Sequence, residues 1–221
     1  MLLVNKPKDW TSFDVVARTR SLFHIAKIGH AGTLDPKATG LLILCTGRMT
    51  KSIDSFSVLD KEYTGLFEVG SRTKSFDSET EVIEIKDSSH ITAELISNVM
   101  KKFIGHQKQV PPMYSAVKKN GRRLYKDARK GRVVEREARD IFIKEFSLLS
   151  FSRPLVEFKV VCSKGTYVRS LVNDIGAELG CGAYLKELKR TRIGEYTLQE
   201  SLSLDDLQRM SEKAQSTQWI A

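Results

Sequence analysis

The chain reads as an α+β protein with a largely antiparallel sheet. Three observations predict this. Strand-like and helix-like stretches mix without a regular βαβ rhythm, no G-x-G-x-x-G dinucleotide motif occurs, and two long alternating stretches, 133–151 and 155–162, lie close enough to pair as a hairpin. Residues 2–4 form a short strand. Ser12 is placed to cap a helix through about Phe23, with Val15, Val16, Leu22 and Phe23 on one broad apolar side. The apolar run 41–45 suits a buried strand, and a helix fills 49–59. Residues 61–69 alternate, with Tyr63, Gly65, Phe67 and Val69 on one face of a strand. Thr92 caps a helix that buries Leu95, Ile96, Val99, Met100, Phe103 and Ile104 and is closed by Gly105. Asn120-Gly121 signals a hairpin turn, and the basic stretch 122–130 has helical character and stops at Gly131. Gly165 and Thr166 open a helix whose Val168, Leu171, Val172, Ile175 and Leu179 share a stripe, and Gly180 ends it. Ser203, with Asp206 three residues on, caps a last short helix.

At 221 residues the chain is long enough to bury a core. Without repeats, low-complexity tracts or Pro/Ser-rich linkers, a single domain spanning 1–221 is expected. Cys45, Cys162 and Cys181 are odd in number and lack a C-x-x-C pair, which argues against a disulfide framework or zinc site and for the cytoplasm. Four scattered histidines show no H-x-H or H-E-x-x-H spacing, so no metal is expected. The N-terminus lacks the apolar core of a signal peptide, and no stretch approaches the ~20 apolar residues of a membrane span. Net charge is +9. Residues 101–140 hold 13 Lys and Arg against 4 Asp and Glu, while the remainder is balanced at 23 of each. The entire excess lies in one segment, the footprint of a surface that meets a phosphate backbone; a solvated charged face is the alternative.

Residues 29–42, Gly-His-Ala-Gly-Thr-Leu-Asp-Pro-Lys-Ala-Thr-Gly-Leu-Leu, set one carboxylate, Asp35, among three glycines. Pro36 keeps Asp35 out of the helical region. Gly29, Gly32 and Gly40 admit turns and a close approach of another backbone. An isolated Asp-Pro would more simply cap a helix. Here Asp35 is read as projecting from an irregular, preset loop, the best candidate for a reaction centre. Arg169 lies off its helix's apolar stripe, at the helix start, where a guanidinium is either solvated or presented to a buried carboxylate.

Five stretches, in order, carry a resemblance: Gly29 to Leu42, Lys61-Glu-Tyr63, Pro111-Pro-Met-Tyr-Ser-Ala-Val-Lys118, Leu124-Tyr-Lys-Asp-Ala-Arg-Lys-Gly131 and Cys162-Ser-Lys-Gly-Thr-Tyr-Val-Arg169. From about residue 1 to 200 the chain resembles the tRNA pseudouridine synthase B (TruB) family. The resemblance implies the pseudouridine synthase fold, a mixed and mostly antiparallel central sheet flanked by helices, with a basic thumb-like RNA-binding insertion at about 106–131. It implies isomerisation of the T-loop uridine of tRNA, position 55, to pseudouridine by a monomer needing no cofactor, metal, guide RNA or protein partner. Such a reaction needs a carboxylate that attacks the nucleotide or stabilises positive charge on the sugar.

By the same matching, Asp35 is the catalytic aspartate, and Arg169 is the arginine that favours its ionised form. Tyr63 is the tyrosine that stacks on the target uracil and assists removal of the C5 proton; without the motif it would read as a core aromatic. His30 is expected to bind the flipped nucleotide rather than act as acid or base. Lys61 and Tyr167 fall at pocket positions, and Leu188 either lines the pocket or is core. Lys118, Lys119, Arg122, Arg123, Lys126, Arg129 and Lys130 are the phosphate-binding candidates. Thr80 and Tyr184 depart from the family pattern. The chain ends at Ala221, whereas many relatives continue into a small C-terminal RNA-binding domain, so no separate C-terminal domain is expected and the thumb carries more of the binding. Two other readings stay open: a pseudouridine synthase of a different RNA, and a tRNA-binding folding factor whose chemistry is incidental.

Overall fold

The computed structural model describes residues 1–115, 118–119, 122–128 and 130–217. In chain order its elements are β1 (Leu2–Lys6), α1 (Ser12–Phe23), β2 (Ile28–Ala31), β3 (Thr39–Thr46), α2 (Ile53–Ser57), β4 (Lys61–Val69), β5 (Ser71–Thr73), β6 (Val82–Ile85), α3 (Ala93–Lys102), β7 (Gly105–Gln109), β8 (Lys118–Lys119), β9 (Arg122–Arg123), α4 (Leu124–Ala128), β10 (Arg139–Ser152), β11 (Leu155–Cys162), α5 (Val168–Glu178), β12 (Ala183–Ile193), β13 (Tyr196–Thr197) and α6 (Leu204–Thr217). They gather into two compact units, Met1–Tyr63 with Leu188–Ala221, and Thr64–Glu187. Strands β4 and β12 give residues to both. No helix among the described residues is long and apolar enough to cross a membrane.

In the first unit the strand order is β1-β3-β12-β4. The centre is β3, antiparallel to β1 from Leu2↔Leu44 to Lys6↔Gly40 and to β2 from Ile28↔Thr46 to Ala31↔Ile43. Its first residues run parallel to β12, at Lys189↔Thr39 and Arg190↔Gly40. Side chains alternate along a strand, so an unbroken apolar run means burial on both faces. Leu42 and Leu44 pack with Val4, Val15, Val16, Ile28 and Leu207, while Leu41, Ile43 and Cys45 pack with Ala31 and Ile193.

The predicted α1 cap shifts by one residue. Thr11, not Ser12, is the N-cap, forming a reciprocal box with Asp14. The Ser12 hydroxyl is used elsewhere, accepting from Leu34 N at 2.9 Å and donating to Leu34 O at 3.2 Å. Ser203 and Asp206 do form the predicted cap, but α6 is 14 residues long rather than short. The stretch 29–42 is also less irregular than expected, since β2 and β3 claim both ends and leave 32–38 as the loop.

In the second unit the order is β12-β4-β11-β10-β7. The expected hairpin is present as β10 and β11, antiparallel from Ile143↔Cys162 to Ser152↔Leu155. It begins at Arg139 rather than Val133, where pairing with β7 starts at Arg139↔Gln109. Thr92 caps α3 through its hydroxyl to Leu95 N. The helix buries Ile96, Val99 and Met100, but Leu95 and Ile104 are exposed, because its packed stripe is narrower than the run of apolar residues. In α5 every expected apolar position is buried, from Val168 to Leu179.

Strand β12 escaped the sequence reading. Its residues, Ala-Tyr-Leu-Lys-Glu-Leu-Lys-Arg-Thr-Arg-Ile, look like a charged surface stretch, because hydropathy counts a buried arginine as an exposed one. The pairs β5 with β6 and β8 with β9 were also unread as strands; the latter, Lys118↔Arg123 and Lys119↔Arg122, frames the predicted Asn-Gly turn, whose two residues lie outside those described.

Candidate active site

Asp35 sits half-buried in the loop 32–38, between the buried side chains of Leu34 and Ala38. The loop is tied down residue by residue. Ser12 takes both backbone groups of Leu34. The Asp35 carbonyl accepts from Ala38 N at 3.1 Å, and the Pro36 carbonyl accepts from Asp9 N at 2.9 Å and from Lys6 Nζ at 3.2 Å. Lys37 pairs with Asp9 at 2.7 Å. Gly32 and Gly40 bracket this stretch with φ of +92° and +102°, a region that other residues enter only with strain. The close backbone approach predicted for these glycines is real at Gly40, where a Cβ would stand 2.3 Å from Arg190 O.

Lys6 is fully buried, and its ammonium donates to the Pro7, Trp10 and Pro36 carbonyls at 2.9, 2.6 and 3.2 Å. Burial pushes its pKa down to about 8, against the attraction of Asp35. The same attraction favours the ionised carboxylate. His30, on β2, has its pKa lowered first by burial and then by the Arg190 charge, and its Nδ1 has no hydrogen-bond partner among the described residues. The His30 imidazole is therefore held neutral at neutral pH. Lys61 donates to the Ser57 and Leu59 carbonyls at 2.5 and 2.6 Å, and its Cε would lie 3.9 Å from a Cβ on Gly32. Tyr63, two residues along β4, is buried. Leu188 is half-buried, and its carbonyl lies 3.4 Å from the Thr39 hydroxyl. Of the expected residues, this unit thus brings Lys61 alongside the Asp35 loop, with His30 on the strand that enters it.

In the second unit, Arg169 resolves the choice left open by its position. It is 3% exposed, in the first turn of α5, with Nη1 3.4 Å from Asp77 Oδ2. Asp77 is itself 5% exposed. Its carbonyl accepts from the Thr73 and Ser75 hydroxyls at 2.7 and 3.2 Å. Thr80, one of the departures, closes this turn by exchanging hydrogen bonds with Ser75 at 3.0 and 3.2 Å. Tyr167 is the N-cap of α5, and its ring lies 5.7 Å from the Arg169 guanidinium carbon, within cation–π range. Gln109, at the end of β7, grips the Tyr167 backbone, donating to its carbonyl at 3.1 Å and accepting from its amide at 2.8 Å. Tyr184, the other departure, donates to Glu68 at 3.3 Å.

Of the basic candidates, Lys118 and Lys119 lie on β8, Arg122 and Arg123 on β9, and Lys126 on α4. Lys130 is exposed, in the turn after α4, and Arg129 lies outside the described residues. Leu124 anchors α4 by burial, and Tyr125 N donates to Ser115 O at 3.1 Å.

Sequence reasoning missed Lys6, Asp77, Gln109 and Arg190. Nothing local marks them, since each gains its role from a partner distant in sequence.

Solved structures share this architecture. A crystal structure of a Cbf5-Nop10-Gar1 complex superimposes with a TM-score of 0.73 at 30% identity, over 94% of this chain and 53% of that one. The structure of an H/ACA RNP bound to a substrate RNA containing 2'-deoxyuridine gives 0.71 at 27% identity, over 94% and 52%. The chain thus spans about half the length of those matched chains. Residues 20–168 match the model of the TruB family pseudouridylate synthase N-terminal domain, and residues 169–220 that of the tRNA pseudouridylate synthase B C-terminal domain. The protein belongs to the TruB family. It is 46% identical to tRNA pseudouridine synthase B of Chloroherpeton thalassium over 93% of this chain and 88% of the relative. It is 48% identical to the protein of that name from Chlorobaculum tepidum, over 92% and 87%.

Proposed function

We propose that this protein is a tRNA pseudouridine synthase that isomerises the T-loop uridine at position 55. The observation that carries this is the coincidence of family membership along the chain with a single carboxylate, Asp35, held in a preset loop beside a buried ammonium. In the proposed reaction the bond from uracil N1 to the ribose breaks, the base turns, a bond from C5 to the ribose forms, the C5 proton leaves and N1 takes up a proton. Product and substrate contain the same atoms, so no co-substrate is consumed.

Asp35 attacks the nucleotide or stabilises positive charge on the sugar as N1 departs. Tyr63 stacks on the extruded uracil; stacking contributes about 1–3 kcal/mol per base, which offsets much of the cost of flipping it. His30, Lys61, Tyr167 and Leu188 belong to the nucleotide pocket in this reading. Arg169 joins the catalytic set on the family resemblance, with its burial at the start of α5 as support. The basic insertion at about 106–131 binds the T arm through phosphates. Neutralising Lys118 and Lys119 together is then expected to flatten the plot of log affinity against log salt by about 1 to 2; an unchanged slope counts against phosphate contact there. A monomer working in the cytoplasm without guide RNA completes the proposal, and the three cysteines, all free and buried, suit that compartment.

The test is pseudouridine formation in an unmodified tRNA transcript, read by carbodiimide labelling and primer extension, with wild type beside Asp35→Asn and binding measured in parallel. A T-loop stop only with wild type, with binding kept in both, supports the isomerase. Tight binding by wild type without any stop favours a folding factor or another RNA.

A further inference from the structure

We infer that Arg190 is a positioning residue for the reaction, a buried clamp that holds the entrance and exit of the Asp35 loop at a fixed separation. The inference rests on Asp35 being the catalytic carboxylate. Arg190 is 1% exposed. Its Nη2 donates to the Gly32 carbonyl at 3.0 Å, where the chain leaves β2, and its Nε donates to the Leu41 carbonyl at 2.7 Å, where the chain has entered β3. The Arg190 backbone is pressed against Gly40, with which it pairs in the parallel ladder, at a distance that leaves no room for a Cβ. One residue therefore touches the loop's exit with its backbone and both ends with its side chain.

The chemistry of the side chain matters here. A guanidinium presents several N–H donors in a rigid plane, so two carbonyls held in that plane are held relative to each other. An ammonium is a point donor and cannot fix such a pair. Strand pairing alone would be served by an aliphatic residue, and burying a charge is expensive unless its hydrogen bonds are made. Both acceptors are neutral carbonyls, so these bonds leave the positive charge uncancelled. It is felt by Lys6 and His30, whose protonated forms it disfavours. Catalysis by a positioned carboxylate is sensitive to displacements on the order of 1 Å. A clamp across the loop is what holds Asp35 within that tolerance.

The test compares wild type, Asp35→Asn, Arg190→Lys and Arg190→Met with an unmodified tRNA transcript. Single-turnover rate at saturating enzyme, Kd for the transcript and thermal unfolding are measured for each. Arg190→Lys keeps the charge and most of the stem but loses the planar fork. It is expected to fold, to bind tRNA within about twofold of wild type and to react about 10-fold more slowly, and Arg190→Met about 100-fold more slowly. Arg190→Lys decides the matter if Arg190→Met does not fold. A wild-type rate in a folded Arg190→Lys overturns the clamp, as does a loss confined to Kd with the saturated rate unchanged. Failure of Arg190→Lys to fold overturns it too, because the residue then holds the whole unit and not the loop. An active Asp35→Asn instead overturns the reading of Asp35, and does so whatever the Arg190 variants show.

Discussion

Two regions of this molecule bury cations, and they do so differently. Around the Asp35 loop, Lys6 and Arg190 are essentially inaccessible and spend their donors on backbone carbonyls: Pro7, Trp10 and Pro36 for one, Gly32 and Leu41 for the other. At the start of α5, Arg169 is equally buried and meets a carboxylate, Asp77. Carbonyls satisfy hydrogen bonds without cancelling charge, whereas a carboxylate cancels it. The first arrangement places positive charge around a loop that carries a carboxylate, which suits a carboxylate that must stay ionised. The second fixes one side chain in place through an ion pair.

The comparison is broken most severely at Arg169. Arg169→Met leaves Asp77 buried without its cation, and the expected loss of unfolding free energy is about 3–5 kcal/mol in urea titrations. Adding Asp77→Asn is expected to recover part of it, since no buried charge is then stranded. A loss below about 1 kcal/mol in the single variant would mean that the buried ion pair contributes little to stability.

The carbonyl-bound cations make a different prediction, in pH. Lys6 gives up its proton near pH 8 in the folded protein and near 10.5 when unfolded. Between those values the unfolded chain holds the extra proton, so this residue's contribution to stability rises with pH, by about 3 kcal/mol in all, and below pH 8 it is constant. The unfolding free energy of wild type minus that of Lys6→Met should climb from pH 8 to 10.5. A difference that stays flat across that range would refute the charged, carbonyl-bound lysine.

A smaller effect is expected at Gly40. Gly40→Ala forces a side chain into φ +102° against the Arg190 backbone, and a loss of about 1–3 kcal/mol is expected with a lower single-turnover rate. Full activity would show that the loop tolerates displacement of β12. The mildest pair sharpens the contrast within α1. Thr11→Ala and Ser12→Ala should each cost about 1 kcal/mol. Only Ser12→Ala is expected to slow the reaction, because Ser12 holds Leu34, next to Asp35, while Thr11 holds only its helix. Equal rates in the two would place Leu34 outside the machinery.

Much of the fold was legible because its signals are local. Thr92 before α3, the alternation in β4 and the apolar stripe of α5 are patterns within a few residues, set by side-chain spacing and by which backbone groups lack partners at an element's end. The reading of Ser12 as a cap shows how close local logic comes: a hydroxyl stood at each of two adjacent positions, and Leu34, 22 residues away, decided which one capped. The candidate site was legible as types of residue, an Asp-Pro among glycines and a guanidinium at a helix start. Its supports were not. Lys6, Arg190 and Asp77 read as ordinary surface charges.

The sequence alone determined the fold class, the long helices, the β10–β11 hairpin, the Asp35 loop and the family, because each is written in spacing and order along the chain. Only the tertiary structure decided that β12 is a strand, that Arg169 meets a carboxylate 92 residues away and that Arg190 reaches a carbonyl 158 residues away. The physical reason is that hydropathy records the cost of burying a charge and not the partners that make burial possible. Those partners are assembled from distant segments when the sheet forms.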